Sequence, residues 1–432
     1  MPSSADLRLI AELAAGFESR FRDRIPLGRT VGREAEYPLV GRDGRSRDAA
    51  AVWEELLAEG GCIPIRDEPG PGGQSALAGV QADRWSAVTE VGRGTVEVVI
   101  GPRASLQELA ADLDVALARL IPAARRTGAL LLGYGIQPRT PPHAGLLTPK
   151  RRYAALLGAI GPRWLRFAVT ASDQVHVDIT RSELIPAFNL FNALSGALIA
   201  LSANSSVYGG RVGRYASGRE GLMVATTPEP YRHGAVPRPF VDVEDYVRWA
   251  ADFRCFCLPG TLGAYVFPPG AYLDHARGRP PDLEEFLFHE HYLWPSARPR
   301  ARLGTLEIRP ACQQPPVDSW APAALAVGLT EMLPEAAAAV EDVIGKAAWP
   351  SLLQYRSRAV RWGLGAREPA RAFLEVVLDV AERGLKARGF GEEMLVEAFR
   401  ERLAVREGPA DRARETVRSG GVAELIDAVA LQ

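Results

Sequence analysis

A chain of 432 residues, 47% apolar and 24% charged, can bury a large core and is too apolar to read as disordered. Its formal net charge of −1 excludes the broad basic surface that grips nucleic acid. Four cysteines (Cys62, Cys255, Cys257, Cys312) exclude a disulfide framework, no secretory start is visible, and the apolar run 191–203 is too short for a bilayer, so a reduced, cytoplasmic protein is expected.

The elements open with an amphipathic helix over 5–20, where Leu7, Ile10, Leu13 and Phe17 recur at helical spacing. Thr30–Val40 alternates as a strand with Glu34 and Glu36 on one face. A helix fits Ala49–Ala58, and the Gly-, Pro- and Asp-rich stretch 66–82 is expected to be loop. Val88–Ile100 reads as strand–turn–strand around Gly92-Arg93-Gly94, returning Glu90 and Glu97 to one face. A long helix over Ser105–Arg126, an apolar strand over Leu130–Ile136 and a proline-rich surface segment, Gln137–Pro149, follow.

Ala168–Ile179 alternates again, with Gln174, His176 and Asp178 on one face and Val175, Val177 and Ile179 on the other. A helix is expected over Glu183–Ala203, then a glycine-rich loop, Gly209–Gly221, holding Arg211, Arg214 and Arg219. Asp242–Cys257 and Leu283–His289 read as helix, and Arg302–Pro310 as a strand with Thr305, Glu307 and Arg309 on one side. From Ala321 onward the pattern is helical, broken at Pro350, Gly363, Gly365, Gly389 and Gly420. No repeat or linker interrupts the chain, so we expect one α+β catalytic domain, 1–432, with its core over 25–320 and a helical C-terminal portion over 321–432.

Carboxylates recur on the polar faces of these strands. Glu34 and Glu36 stand about 7 Å apart by strand rise, Glu90 and Glu97 flank a turn, and Glu307 lies two residues from Arg309. Each has a plainer reading: an exposed glutamate pair, a hydrogen-bonded core histidine, a structural ion pair. Five carboxylates around a common space, however, repel one another unless divalent cations lie between them. No GxxxxGK[ST] loop, GxSxG elbow or CxxC occurs, so any nucleophile is expected to come from the substrate.

Six segments in order resemble the glutamate–cysteine ligase family of plant and bacterial type, which shares its fold with glutamine synthetase. They are GREAEYPLV, TEVGRGTVEVVIGP, SDQVHVDI, ALSANSSVYGGRVGRYASGRE, YRHGAVPRPF and LWPSARPRARLGTLEIRPACQQP. The resemblance implies a curved antiparallel β-sheet, flanked by helices, whose concave face forms the active site. It implies Glu34, His176 and Glu307 as ligands of cations on the ATP phosphates, and Glu36, Glu90 and Glu97 as ligands of a cation on the substrate side. Arg309 resembles the arginine that steadies the transferred phosphoryl group, and Arg219 and Arg298 resemble contacts to a substrate carboxylate or phosphate. Arg232 and Gln174 are further cofactor-side candidates.

The implied activity is ATP-dependent amide formation through an acyl phosphate, with Mg2+ or Mn2+ as the metal. Glutamate and cysteine are the implied substrates, for glutathione biosynthesis; another acid or amine in a specialised pathway is the alternative. Small-molecule partners, no nucleic acid, no membrane and a monomer or homodimer complete the expectation. Three departures fall on the substrate side. The turn reads VGRG where the family usually has PGGQ, Cys312 stands where it commonly has aspartate, and no tryptophan follows Arg219 in REGLMVATT. A nucleotide-free metal hydrolase and a non-catalytic binding module are the readings from other classes.

Overall fold

Alternation in Val31–Gly41 builds strand β1 of a nine-stranded sheet in the computed structural model, which describes residues 4–67, 75–261, 264–345 and 349–432. The remaining strands are β2 (Ile63–Arg66), β3 (Leu77–Gln81), β4 (Trp85–Thr89), β5 (Thr95–Arg103), β6 (Ala129–Leu131), β7 (Ser172–Asp178), β8 (Ala297–Arg300) and β9 (Thr305–Cys312). They run in the order β8-β9-β7-β1-β5-β4-β3-β2, with β6 pairing the end of β1, and every pair is antiparallel. The sheet is open, β8 and β2 forming its edges.

The period of two sorts side chains between faces. Val31, Ala35 and Tyr37 of β1, Val96, Val98 and Ile100 of β5, Val175 and Val177 of β7, and Leu306 and Ile308 of β9 all enter the main core. Helices Leu106–Arg126, Leu184–Ala193, Ser195–Ser202 and Ala321–Glu331 pack on this face, and Phe373–Arg388 backs the last of them. Two glycines permit that helix pair to touch: a Cβ on Gly328 would meet the Ala381 carbonyl at 2.1 Å, and one on Gly384 the Gly328 carbonyl at 2.0 Å. Arg33 is buried on the covered face. Its Nε donates to Asp173 Oδ1 at 2.6 Å and a terminal nitrogen to the Ser319 carbonyl at 2.6 Å, tying β1, β7 and the approach to the 321–331 helix together.

Several expectations shift. Leu77–Gln81 is a strand, not loop: it pairs with β4 and buries Ala78 and Val80, a short signal masked by its glycine- and proline-rich flank; residues 68–74 lie outside the described ones. The strand foreseen over 130–136 shrinks to Ala129–Leu131, because beyond it Leu132 and Ile136 bridge to different partners. The helix over 183–203 is two helices bent by 50° near Leu194. Pro350 stands in the first turn of helix Trp349–Trp362, where a missing N–H costs nothing. Near the end, Gly421 (φ +81°), rather than Gly420, makes the kink. No single helix among the described residues is long and apolar enough to cross a membrane.

Candidate active site

Strand register sets the carboxylates of the other face side by side. Glu36 lies opposite Glu97 across β1–β5, and His176 lies opposite Glu307 across β7–β9. His176 also faces Gly32, so Glu34, two residues along β1, is its diagonal neighbour, with Nε2 3.1 Å from Glu34 Oε1. Ligand atoms of Glu34, His176 and Glu307 lie within 4.8 Å of one another, and so do those of Glu36, Glu90 and Glu97. The five glutamates, with Gln174, Arg219, Arg298 and Arg309, line one cavity of about 210 Å³, and His176, behind that lining, reaches Glu34.

Glu90 is delivered by the turn between β4 and β5. A Cβ on Gly92 would sit 2.0 Å from the Ala168 carbonyl, so only glycine lets the turn lie this deep. The proline-rich segment braces it: Arg93 N donates to the Leu146 carbonyl at 2.7 Å and Thr148 Oγ1 to the Glu90 carbonyl at 2.6 Å.

The two groups differ in electrostatics. Burial pushes the Glu307 carboxyl up, but Arg298, Arg309 and Arg300 outweigh it and hold the group well below the usual carboxylate range. Arg298 Nε donates to Glu307 Oε2 at 2.5 Å, Arg300 to the same oxygen at 3.1 Å, and Arg309 to Oε1. Burial also pushes Glu34 up, and His176 outweighs it. In the second group burial, then Glu90, push Glu36 up to about 7. That occurs although Glu36 accepts from Ser172 N and Oγ at 2.6 Å each and from Gln174 Nε2 at 2.9 Å. Burial and Glu90 likewise push Glu97 well above its ordinary value. The first group is balanced by guanidiniums, whereas the second is a buried oxygen set short of positive charge.

Gln174 bridges the groups, its Oε1 accepting from Arg309 while its Nε2 binds Glu36. His176 Nδ1 lies 3.3 Å from Thr305 Oγ1; a proton there leaves the Nε2 lone pair free for a metal.

Other sequence candidates lie elsewhere. Arg232 does not line the cavity: its guanidinium donates to the Tyr292 and Arg254 carbonyls and to Glu229, and lies 3.9 Å from the Phe256 ring centroid. Asp178 turns to the Thr30 amide and hydroxyl. Arg211 and Arg214 stay outside the cavity, while Arg219 sits in a short helix, Gly218–Met223, rather than in a loop.

Sequence reasoning missed Arg300 and Ser172, although each lies two residues from a recognised group on its own strand, Arg298 or Gln174. It also missed Arg152, His291 and an aromatic wall of Tyr153, Trp164, Phe167 and Trp294, with Trp164–Phe167 and Phe167–Trp294 centroids 4.3 and 4.9 Å apart. These arrive from non-adjacent segments, so no local pattern announces them.

Comparison with known proteins places the chain. The profile of glutamate–cysteine ligase family 2 matches residues 30–428. A candidate glutamate–cysteine ligase 2-3 from Rubrobacter xylanophilus is 30% identical over 314 residues, 71% of this chain and 70% of its own. The glutamate–cysteine ligase EgtA of Mycolicibacterium smegmatis is 29% identical over 422 residues, 93% of this chain and 90% of its own. In fold, the glutamate–cysteine ligase of Francisella tularensis, solved with AMP, superposes with a TM-score of 0.54 at 13% identity, over 95% of this chain and 88% of the other. The class is that of ATP-dependent carbon–nitrogen ligases. Within it, the chain belongs to glutamate–cysteine ligase family 2.

Proposed function

We propose that the protein joins the γ-carboxylate of glutamate to the amine of cysteine, driven by ATP, in the cytoplasm, where thiols stay reduced. Two groups of three ligand atoms facing one cavity carry this reading. Oxygen-rich sets with one imidazole fit Mg2+, and equally Mn2+. Glu34, His176 and Glu307 would hold the cations on the ATP phosphates, and Glu36, Glu90 and Glu97 the one on the substrate side. Bound there, such cations neutralise phosphate charge and orient the γ-phosphoryl group.

The chain's own groups do the rest. Arg309 steadies the phosphoryl oxygens with a planar, permanently charged fork, while Arg298 holds Glu307 and the wall behind it. Arg219 receives a substrate carboxylate. A γ-carboxylate oxygen attacks the γ-phosphorus, the bond to ADP breaks, and an acyl phosphate forms. The neutral amine then attacks the acyl carbon, the carbon–oxygen bond to phosphate breaks, and the amide remains. Entry of γ-glutamylcysteine into glutathione biosynthesis is the narrower reading.

The aromatic wall favours a second reading, the same chemistry with a bulkier apolar amine. Phosphate release from ATP, measured with Mg2+, glutamate and each amine in turn, separates them. Release that requires both glutamate and cysteine supports the first reading, and release absent or independent of cysteine rejects it. Faster release with an aromatic amine selects the second.

A further inference from the structure

Arg219 enters the cavity from the short buried helix Gly218–Met223, whose backbone is fixed by Ser217 at its cap and by Ser205. Among the described residues, one terminal nitrogen donates to Glu220 Oε1 at 2.6 Å, and no other guanidinium nitrogen is bonded to protein. Glu220 does not line the cavity. Its second oxygen accepts from Arg356, which descends from helix Trp349–Trp362 in the C-terminal portion and is equally absent from the lining. Arg356 has a prepared slot: a Cβ on Gly234 would collide with its guanidinium, and Gly196 lets its backbone approach the 195–202 helix. All three side chains are nearly sealed from solvent, at 3%, 3% and 6% exposure.

Charge within this chain of contacts does not cancel. Two guanidiniums meet one carboxylate, and the neighbouring His233 is kept neutral, because burial pulls it down to about 3. Glu220 is shared, so it restrains Arg219 without neutralising it. The excess positive charge faces the cavity, where Glu36 already feels it.

From this geometry we infer that Glu220 and Arg356 are positioning residues, which aim the free edge of Arg219 into the cavity as a seat for the α-carboxylate of the acid substrate. The inference rests on the ligase reading above and deepens it. A consequence is that the C-terminal helices, far from the carboxylate clusters in sequence, help set substrate affinity.

The test compares glutamate with its α-amide, isoglutamine, in steady-state phosphate release by the full-length wild type and by Glu220→Gln, Arg356→Met and Arg356→Lys. In the wild type the α-amide is expected to lose on the order of 30-fold or more in kcat/KM, as a site built for a charged partner rejects the neutral one. In Glu220→Gln and Arg356→Met the KM for glutamate rises about tenfold, kcat and the KM for ATP change little, and discrimination falls to about threefold, with partial rescue by Arg356→Lys. Discrimination as strong in Glu220→Gln as in the wild type, or equal losses for ATP and glutamate, overturns the inference. If Arg356→Met does not fold, Glu220→Gln alone decides. A wild type that releases no phosphate with glutamate strikes the ligase reading instead. Calorimetric binding of glutarate then judges the seat, and affinity that is equal in Glu220→Gln, or absent from both, overturns it.

Discussion

Glu36 and Glu97 face each other directly across the β1–β5 ladder, on the cavity side of the sheet and with Glu90 beside them. Like charges so placed destabilise a sheet, and here burial removes the water that would screen them.

That pair makes the metal-free protein sensitive to pH. The folded-state pKa of Glu36 is about 7, above its ordinary 4.5, and Glu97 is raised as well, with burial the first cause of both. Stability from these groups is therefore complete below about pH 4.5 and is lost as pH rises through 7, by roughly 3 kcal/mol for Glu36 alone. Mg2+ or Mn2+ should reverse the loss and release protons on binding. Calorimetric unfolding between pH 5 and pH 8 checks this: the stabilisation by Mg2+ grows with pH, and a stabilisation that shrinks over that range contradicts it.

Glu34→Gln should abolish turnover and leave the fold intact. Its side chain is 24% exposed and its contact within the structure is His176, so little else depends on its charge. Loss of a cation ligand is expected to lower kcat about a hundredfold or more, while the unfolding midpoint moves by a few degrees at most. Glu307→Gln is a different experiment. It strips the shared counter-charge from Arg298, Arg300 and Arg309, and removing one member of a buried ion pair costs about 3–5 kcal/mol. Activity retained in Glu34→Gln removes that residue from the metal set.

Thr305→Val tests the support behind His176. The hydroxyl lies against Nδ1, and loss of such an outer partner typically lowers metal affinity about 10- to 100-fold. Manganese titration followed by electron paramagnetic resonance measures it, and an unchanged affinity rules out the orienting role.

On the covered face, Arg33→Met should cost about 3–5 kcal/mol, because Asp173 is left buried without its partner. The double variant Arg33→Met/Asp173→Leu should recover most of this in urea unfolding. If the double variant is no more stable than the single one, Arg33 stabilises through its stacking on Trp320 instead.

How far the sequence spoke depended on whether a signal was local. Strand alternation put Glu34 with Glu36, and Thr305 with Glu307 and Arg309, on shared faces, and the Gly92–Gly94 turn foretold the return of Glu97 toward Glu90. The same rule, carried two residues back from Gln174, reaches Ser172, whereas Arg300 lies on β8, a strand the sequence pattern did not foretell. Arg152 and the Trp164–Phe167–Trp294 wall were not legible, since helical and irregular segments reach the cavity only through the tertiary fold. Arg232 misled because an arginine in a family-like segment carries no mark of whether its guanidinium is consumed by carbonyls. The short strand Leu77–Gln81 was lost among turn-forming residues, and the bend near Leu194 was invisible in a continuous apolar run.

Two cation sites are expected to share one cavity. Crystals grown with Mn2+ and a non-hydrolysable ATP analogue, measured for anomalous scattering at the manganese edge, test it most directly. Density is expected among Glu34, His176 and Glu307 and separately among Glu36, Glu90 and Glu97, with the nucleotide phosphates reaching the first. Nucleotide bound with no manganese in either group, or manganese held only elsewhere on the protein, would contradict it.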